Sequence, residues 1–378
     1  MALLRIARRV LRIAPLLVLA IAVPIAGATV PQVPLQPGTT IVVAVSNAPA
    51  AASPGAQPAN AYAQGDYDVV VAITGIDANG YHESAFIDAT DAAGVRRQVI
   101  VPRTVAAADL EDARQQLLGF AAGDPKIVAG TTSLGPSLAV VRDLRGTGRS
   151  NYAFRNYLPG PLISGQLRRI EDRRGTFSVL LNGKRVDLPA IFAHGQMSAG
   201  ASTRPFEIVI FDDPQHPLSL RIAYGPRDGG FPFEPDFARE IVRIDFREPQ
   251  AVPLADALQQ YCRVEVPGIY FDFDQATLKP PSRRALEDIA AVLRGQPAWR
   301  LSIEGHTDNI GGERYNDELS ARRAAAVKTA LVETLQVDGP RLTTRGFGLR
   351  KPVETNATLA GRARNRRVEL VRDCGAGR

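Results

Sequence analysis

The stretch from Arg300 to Leu335 limits the fold of this chain more than any other. Arg300-Leu301-Ser302-Ile303-Glu304-Gly305 alternates as a strand does, with Leu301 and Ile303 on one face. Gly305, Gly311 and Gly312 punctuate the turn that follows. Residues 315–336 then repeat Leu319, Ala326, Val327, Ala330, Leu331, Thr334 and Leu335 at helical spacing. At about 100° per residue, Arg323 falls near the middle of that apolar stripe and Arg322 lies to its side. The spacing therefore predicts Arg323 facing inward and Arg322 facing solvent, with Asp308 where the strand gives way to the loop. A guanidinium taken out of water must be paired and hydrogen-bonded, and its planar fork suits a carboxylate. Two readings follow: a plain Asp308–Arg323 salt bridge that ties helix to strand, or an acid and a base that together bind a zwitterion.

The flanking residues favour the second. Tyr270-Phe271-Asp272-Phe273-Asp274 with Leu278, Gly305-His306-Thr307-Asp308, Gly311, Tyr315-Asn316, Leu319-Ser320 with Arg323-Ala324, Gly346-Phe347-Gly348 and Asn365-Arg366-Arg367-Val368-Glu369 occur in that order. On these motifs the segment from about Val264 to Asp373 resembles the OmpA-like peptidoglycan-binding domain. The resemblance implies that Arg323 takes the carboxylate, and Asp308 the amino end, of diaminopimelate in a cell-wall stem peptide. It also implies that Asp272, Asn316 and one of Arg366 or Arg367, with Arg366 preferred, line the same pocket. The fold it implies is a small α/β sandwich. Its first strand would cover about Gly268–Phe273. A helix would follow Pro280-Pro281 from Ser282 to Arg294, with Leu286, Ile289 and Leu293 buried. Strands near Arg341–Gly346 and Arg367–Arg372 would complete the sheet.

The N-terminus reads as an export signal over residues 1–28. Arg5, Arg8, Arg9 and Arg12 precede the apolar run Ile13–Ile25, and Ala26-Gly27-Ala28 supplies small residues for cleavage. That run is shorter than the roughly 20 residues of a spanning helix, although an uncleaved anchor from Val10 to Val30 stays open. No cysteine follows, so residue type excludes a lipidated N-terminus. The two cysteines, Cys262 and Cys374, bracket the C-terminal segment. In an oxidising compartment a disulfide between them is expected, with two unlinked thiols as the alternative. The net charge of +6 is spread widely. No aromatic-interleaved basic stripe or zinc spacing accompanies it, so nucleic acid is not an expected partner, and no cofactor or metal is expected.

Residues 29–65 are rich in Pro and Ala and read as a linker, apart from the short apolar patch Ile41–Val45. Residues 66–250 read as a β-rich domain. Tyr67–Ile76 and Tyr81–Ile87 flank one turn. Phe177–Leu181 and Arg185–Leu188 flank Asn182-Gly183, a strong hairpin signal. Phe206–Phe211 and Leu218–Tyr224 flank another turn, and Ile241–Phe246 follows. Helices are expected at about Val105–Phe120 and Pro136–Leu144. Gly130-Thr131-Thr132-Ser133-Leu134-Gly135 imitates a nucleophile elbow but lacks the glycine two before the serine. Asp212-Asp213-Pro214 reads as turn chemistry rather than a catalytic pair. A membrane barrel needs girdles of aromatics; at 6% aromatic content a soluble domain is expected instead.

The fold class expected is thus α+β in two domains: a mainly β, sandwich-like N-terminal domain with two helices, and an OmpA-like α/β sandwich over 263–374. The function expected is that of an exported, non-enzymatic protein of the periplasm, with outer-membrane association open. It would hold peptidoglycan non-covalently and contact another envelope protein through residues 66–250. The alternatives are an envelope hydrolase with its catalytic groups in 66–250, and the wall-anchoring arm of a membrane complex.

Overall fold

Runs of β-branched residues fill the first two thirds of the chain, and they form one connected sheet system. The computed structural model describes residues 33–47, 65–90, 96–171, 175–226, 229–233, 235–247 and 253–374. The expected signal, and most of the expected linker, lie outside the described residues.

A four-strand meander comes first: β1 (Thr40–Asn47), β2 (Gly65–Asp77), β3 (Gly80–Thr90) and β4 (Arg96–Ala106). The strand β1 corrects the expected linker. Ile41, Val42, Val43, Ala44 and Val45 are all buried, as a continuous apolar run is when both faces of a strand are covered. After α1 (Ala107–Asp112) come β5 (Gln115–Leu117), β6 (Thr131–Thr132), α2 (Leu138–Gly146), β7 (Arg149–Arg155) and β8 (Ile163–Arg169). The helix expected over Val105–Phe120 is thus one short helix followed by extended chain. Gln115 to Leu117 pair in parallel with β7 instead, so their backbone groups are satisfied by a neighbouring strand. Ser137 caps α2, its Oγ accepting from the Val140 amide at 3.4 Å.

The remaining strands of this region are β9 (Gly175–Leu181), β10 (Lys184–Ala199), β11 (Ser202–Phe211), β12 (Ser219–Tyr224) and β13 (Phe237–Asp245). Asn182 and Gly183 join β9 to β10 with φ of 48° and 79°, the two positive values that a tight type I′ turn requires. The strand order is β4-β3-β2-β1-β13-β12-β11-β10-β8-β7-β5-β6, and β9 pairs with both β10 and β13. Strands β9 to β13 therefore close on themselves, while the meander β4-β3-β2-β1 extends outward from β13.

The C-terminal third begins with α3 (Leu254–Tyr261) and β14 (Arg263–Glu265). It continues through α4 (Arg283–Gly295), β15 (Leu301–Gly305), α5 (Glu313–Thr329), β16 (Leu342–Gly346), α6 (Leu359–Asn365) and β17 (Val368–Arg372). The four strands lie in the order β14-β17-β15-β16. Ile289, Leu293, Leu301, Ile303, Val327 and Leu331 share one core. The first strand expected at Gly268–Phe273 is not part of this sheet; β14 takes the edge position beside β17 instead. The segment's polar backbone groups go elsewhere. The Tyr270 amide donates to Ser282 Oγ and the Phe273 amide to Asp88 Oδ2, each at 2.8 Å. Cys262 and Cys374 form a disulfide, with Cα atoms 6.1 Å apart.

Residues 32–378 constitute a single compact unit. Val42, Ala44, Val70, Phe86 and Val242 from the sheet are buried together with Tyr270 and Ala363 of the C-terminal third. A polar rim surrounds this apolar contact. Lys279, 1% exposed, meets Asp272 at 2.9 Å and Asp88 at 3.6 Å. Gln98 Nε2 donates to Asp272 Oδ1 at 2.7 Å, and Arg243 pairs with Glu265 at 2.7 Å. A buried ammonium is tolerated only with such partners.

Candidate functional site

Asp308 is positioned by the end of β15. The His306 amide donates to the Arg367 carbonyl and the Thr307 amide to the Gly348 carbonyl, each at 3.0 Å. The Asp308 carboxylate turns back on its own loop, where Oδ1 accepts from the Ile310 amide at 2.9 Å. Its other oxygen, Oδ2, accepts from Arg366 Nη1 at 2.6 Å. Asp308 is buried.

Arg323 lies on the buried face of α5, between Leu319 and Val327, while Arg322 is exposed. Its Nε donates to the Gln275 carbonyl at 2.9 Å, and its Nη2 lies 3.5 Å from the Asp272 carbonyl. The guanidinium carbon sits 5.0 Å from the centre of the Phe271 ring. Among the described residues no carboxylate forms an ion pair with it. Burial, then repulsion from Arg366, pulls its pKa down to about 10, against the pull of Asp308, Asp68 and Asp274. The group is charged at neutral pH.

Arg366, at the C-terminal end of α6, connects the site to the sheet. Besides Asp308 it grips Asp68 of β2 with both remaining nitrogens, Nη2 to Oδ1 at 2.7 Å and Nε to Oδ2 at 3.0 Å. Burial alone would lower its pKa, but the two carboxylates outweigh that and hold it above its ordinary value. Arg323, Arg366 and Asp68 line one cavity of about 60 Å³, with Phe271 and His306 among the C-terminal residues and Val42, Val70 and Val242 on the sheet side. That is room for roughly four to six waters.

The other residues singled out from the sequence sit as follows. Asn316 is buried and braces the loop, its Nδ2 donating to the Ile310 carbonyl at 2.9 Å. Asp272 offers its carbonyl to Arg323 but turns its carboxylate away to Lys279 and Gln98. Arg367 pairs with Glu369 at 2.6 Å. So Arg323 and Arg366 share the cavity, Asp308 is joined to it through Arg366 without lining it, and Asn316 and Asp272 are outside its lining. Asp68 was not foreseen. It lies 298 residues from Arg366 in the chain, and nothing local in Tyr67-Asp68-Val69 marks it.

Two further groups need placing. Glu304, His306 and Glu369 offer ligand atoms within 4.8 Å of one another, a grouping that could hold a metal ion. Arg263 Nη1 already meets Glu304 at 2.6 Å and also reaches Glu369, which in turn pairs with Arg367. The guanidinium groups supply the positive charge that a cation would bring. Burial, then the nearby Arg367, pushes His306 down to about 4. In the sheet region, Asp212 pairs with Arg145, and Asp213 Oδ1 accepts from the Gln215 and His216 amides at 2.8 and 2.7 Å. Both acids are committed to turn and surface contacts.

Residues 270–366 match the OmpA family. The chain is similar to outer membrane porin F of Pseudomonas aeruginosa, 41% identical over 113 residues, which are 30% of this chain and 32% of that protein. It is also similar to the peptidoglycan-binding protein ArfA of Mycobacterium bovis, 41% identical over 123 residues, or 32% of this chain and 37% of the relative. Among solved structures, the peptidoglycan-associated lipoprotein of Burkholderia pseudomallei is 35% identical, covering 28% of this chain and 87% of that one at a TM-score of 0.26. The chain thus spans only about a third of the length of porin F and ArfA.

Proposed function

Because residues 270–366 form a domain of the OmpA family, we propose that this chain binds peptidoglycan non-covalently from the periplasmic side of a cell envelope. Its target is the free zwitterionic end of diaminopimelate in the stem peptide. The observation that carries this is Arg323: a guanidinium on the buried face of a helix, opening on a cavity, with no carboxylate of its own among the described residues. Placing a charge there costs several kcal/mol unless an anion completes the pair. The ligand carboxylate would meet Arg323 in a charge-assisted contact. The ligand ammonium would meet Asp308, whose Oδ2 also accepts a hydrogen bond from Arg366. The similarity to a relative named for peptidoglycan binding supports the same reading.

The role is one of anchoring rather than catalysis. Asp212 and Asp213, the acids of the hydrolase alternative, are occupied by Arg145 and by turn amides. The β-rich region is free to offer its outer surfaces to another envelope protein. The deciding measurement is co-sedimentation of the full chain with purified sacculi. Arg323→Ala should lose retention, and retention equal to that of the unaltered protein would reject the assignment.

A further inference from the structure

We infer that the chain carries its own stand-in for the wall ligand: the Asp68 carboxylate of β2 occupies Arg366 at the mouth of the site, so that the wall peptide must displace the sheet to bind. This rests on the reading of the cavity as the wall site.

Three observations carry it. The first is the two-point grip. Arg366 holds both oxygens of Asp68, at 2.7 and 3.0 Å, the fork geometry by which an arginine takes a free carboxylate. The second is charge. Of the four arginines that line the cavity, Arg243 and Arg367 pair with Glu265 and Glu369, which leaves Arg323 and Arg366. Against these two stand Asp308, which meets Arg366 from outside the lining, and Asp68 within it. Remove β2 and the C-terminal residues are left one carboxylate short, the deficit that an incoming peptide carboxylate would fill. The third is space. Val42, Val70 and Val242 of the sheet line the cavity together with Phe271 and Arg323, and its volume of about 60 Å³ suits a few waters and not an amino-acid residue.

The contact is also a built one. Apolar residues of the sheet are buried against Tyr270 and Ala363. At the rim, Gln98 binds Asp272 and the Phe273 amide binds Asp88. A ligand moves such an equilibrium only by its differential affinity for the open state. Its apparent affinity falls in proportion to how little of the open state exists beforehand. Weakening the sheet side therefore strengthens wall binding without touching any residue that holds the ligand.

The test uses the full chain and purified sacculi rich in diaminopimelate, with binding measured over a range of protein concentrations. Asp68→Asn removes the stand-in charge, and Gln98→Ala removes a rim contact outside the cavity. Each should raise apparent affinity, by roughly fivefold or more for Asp68→Asn. Adding Arg323→Ala to Asp68→Asn should abolish the gain. If the unaltered protein is retained and both single variants bind no better, the stand-in is refuted while the wall site survives. If neither the unaltered protein nor Asp68→Asn is retained, both fall. Retention of the double variant equal to that of Asp68→Asn places the binding elsewhere and likewise overturns the inference. Gln98→Ala decides the matter should Asp68→Asn fail to fold.

Discussion

Arg366 reaches Asp308 with one nitrogen at 2.6 Å and holds Asp68 with the other two. One guanidinium thereby bridges the loop after β15 and the second strand of the meander. Both acids depend on it, since partly buried carboxylates need a charged donor. Arg366→Ala should cost about 3–5 kcal/mol of stability, as breaking a buried pair does. Urea titration of the two proteins would measure it, and a loss below 1 kcal/mol would show that water replaces the arginine.

The phase of α5 gives a sharper prediction. Arg323 is buried and its neighbour Arg322 is exposed. Arg322→Ala should retain full binding to sacculi, whereas Arg323→Lys should bind poorly, because an ammonium cannot reproduce the planar fork. Equal losses at both positions would show that general positive charge, rather than one oriented group, holds the wall.

The disulfide closes a loop spanning 112 positions. In the chain-entropy model this is worth about 4–5 kcal/mol. Cys262→Ser with Cys374→Ser should lower the denaturation midpoint accordingly. Full labelling of the protein by a thiol reagent under denaturing, non-reducing conditions would contradict the bond.

Glu83 supplies a pH prediction. It is buried on β3, opposite Arg103 on β4. Burial pushes its pKa up to about 7 from 4.5, against the attraction of Arg103. The folded protein then binds a proton that the unfolded chain releases between those values. Stability from this group is complete below pH 4.5 and declines as pH rises to about 7. Glu83→Gln should flatten that part of the profile and stabilise the protein at pH 8, by on the order of 3 kcal/mol. Denaturant midpoints at pH 5 and 8 would check it; an unchanged slope counts against the assignment.

Much of the C-terminal third was legible because its signals are local. The helical phase of Leu319, Val327 and Leu331 fixes which way Arg323 points, and the alternation of Leu301 and Ile303 places Asp308 at a strand end. Asp68 was illegible because its meaning comes from a contact 298 residues away. The strand β1 was hidden by the proline-rich composition around it, although Ile41–Val45 is as apolar as a buried strand should be. The segment Tyr270–Phe273 alternates convincingly, yet side chains of Ser282 and Asp88 take its amides instead of a neighbouring strand. Around Leu110, Ala113 and Leu117 the helical spacing was real, but pairing of Gln115 to Leu117 with β7 outweighed it.

The clasp between Cys262 and Cys374 has a mechanical consequence. Strand β14 is the edge of its sheet, joined to β17 over Arg263 to Glu265, and would otherwise be able to peel away one rung at a time. Cys262, just before β14, is bonded to Cys374, just after β17, so the two strands are tied covalently at that end. Parting the edge strand from its neighbour there requires breaking a covalent bond and not only a short run of hydrogen bonds.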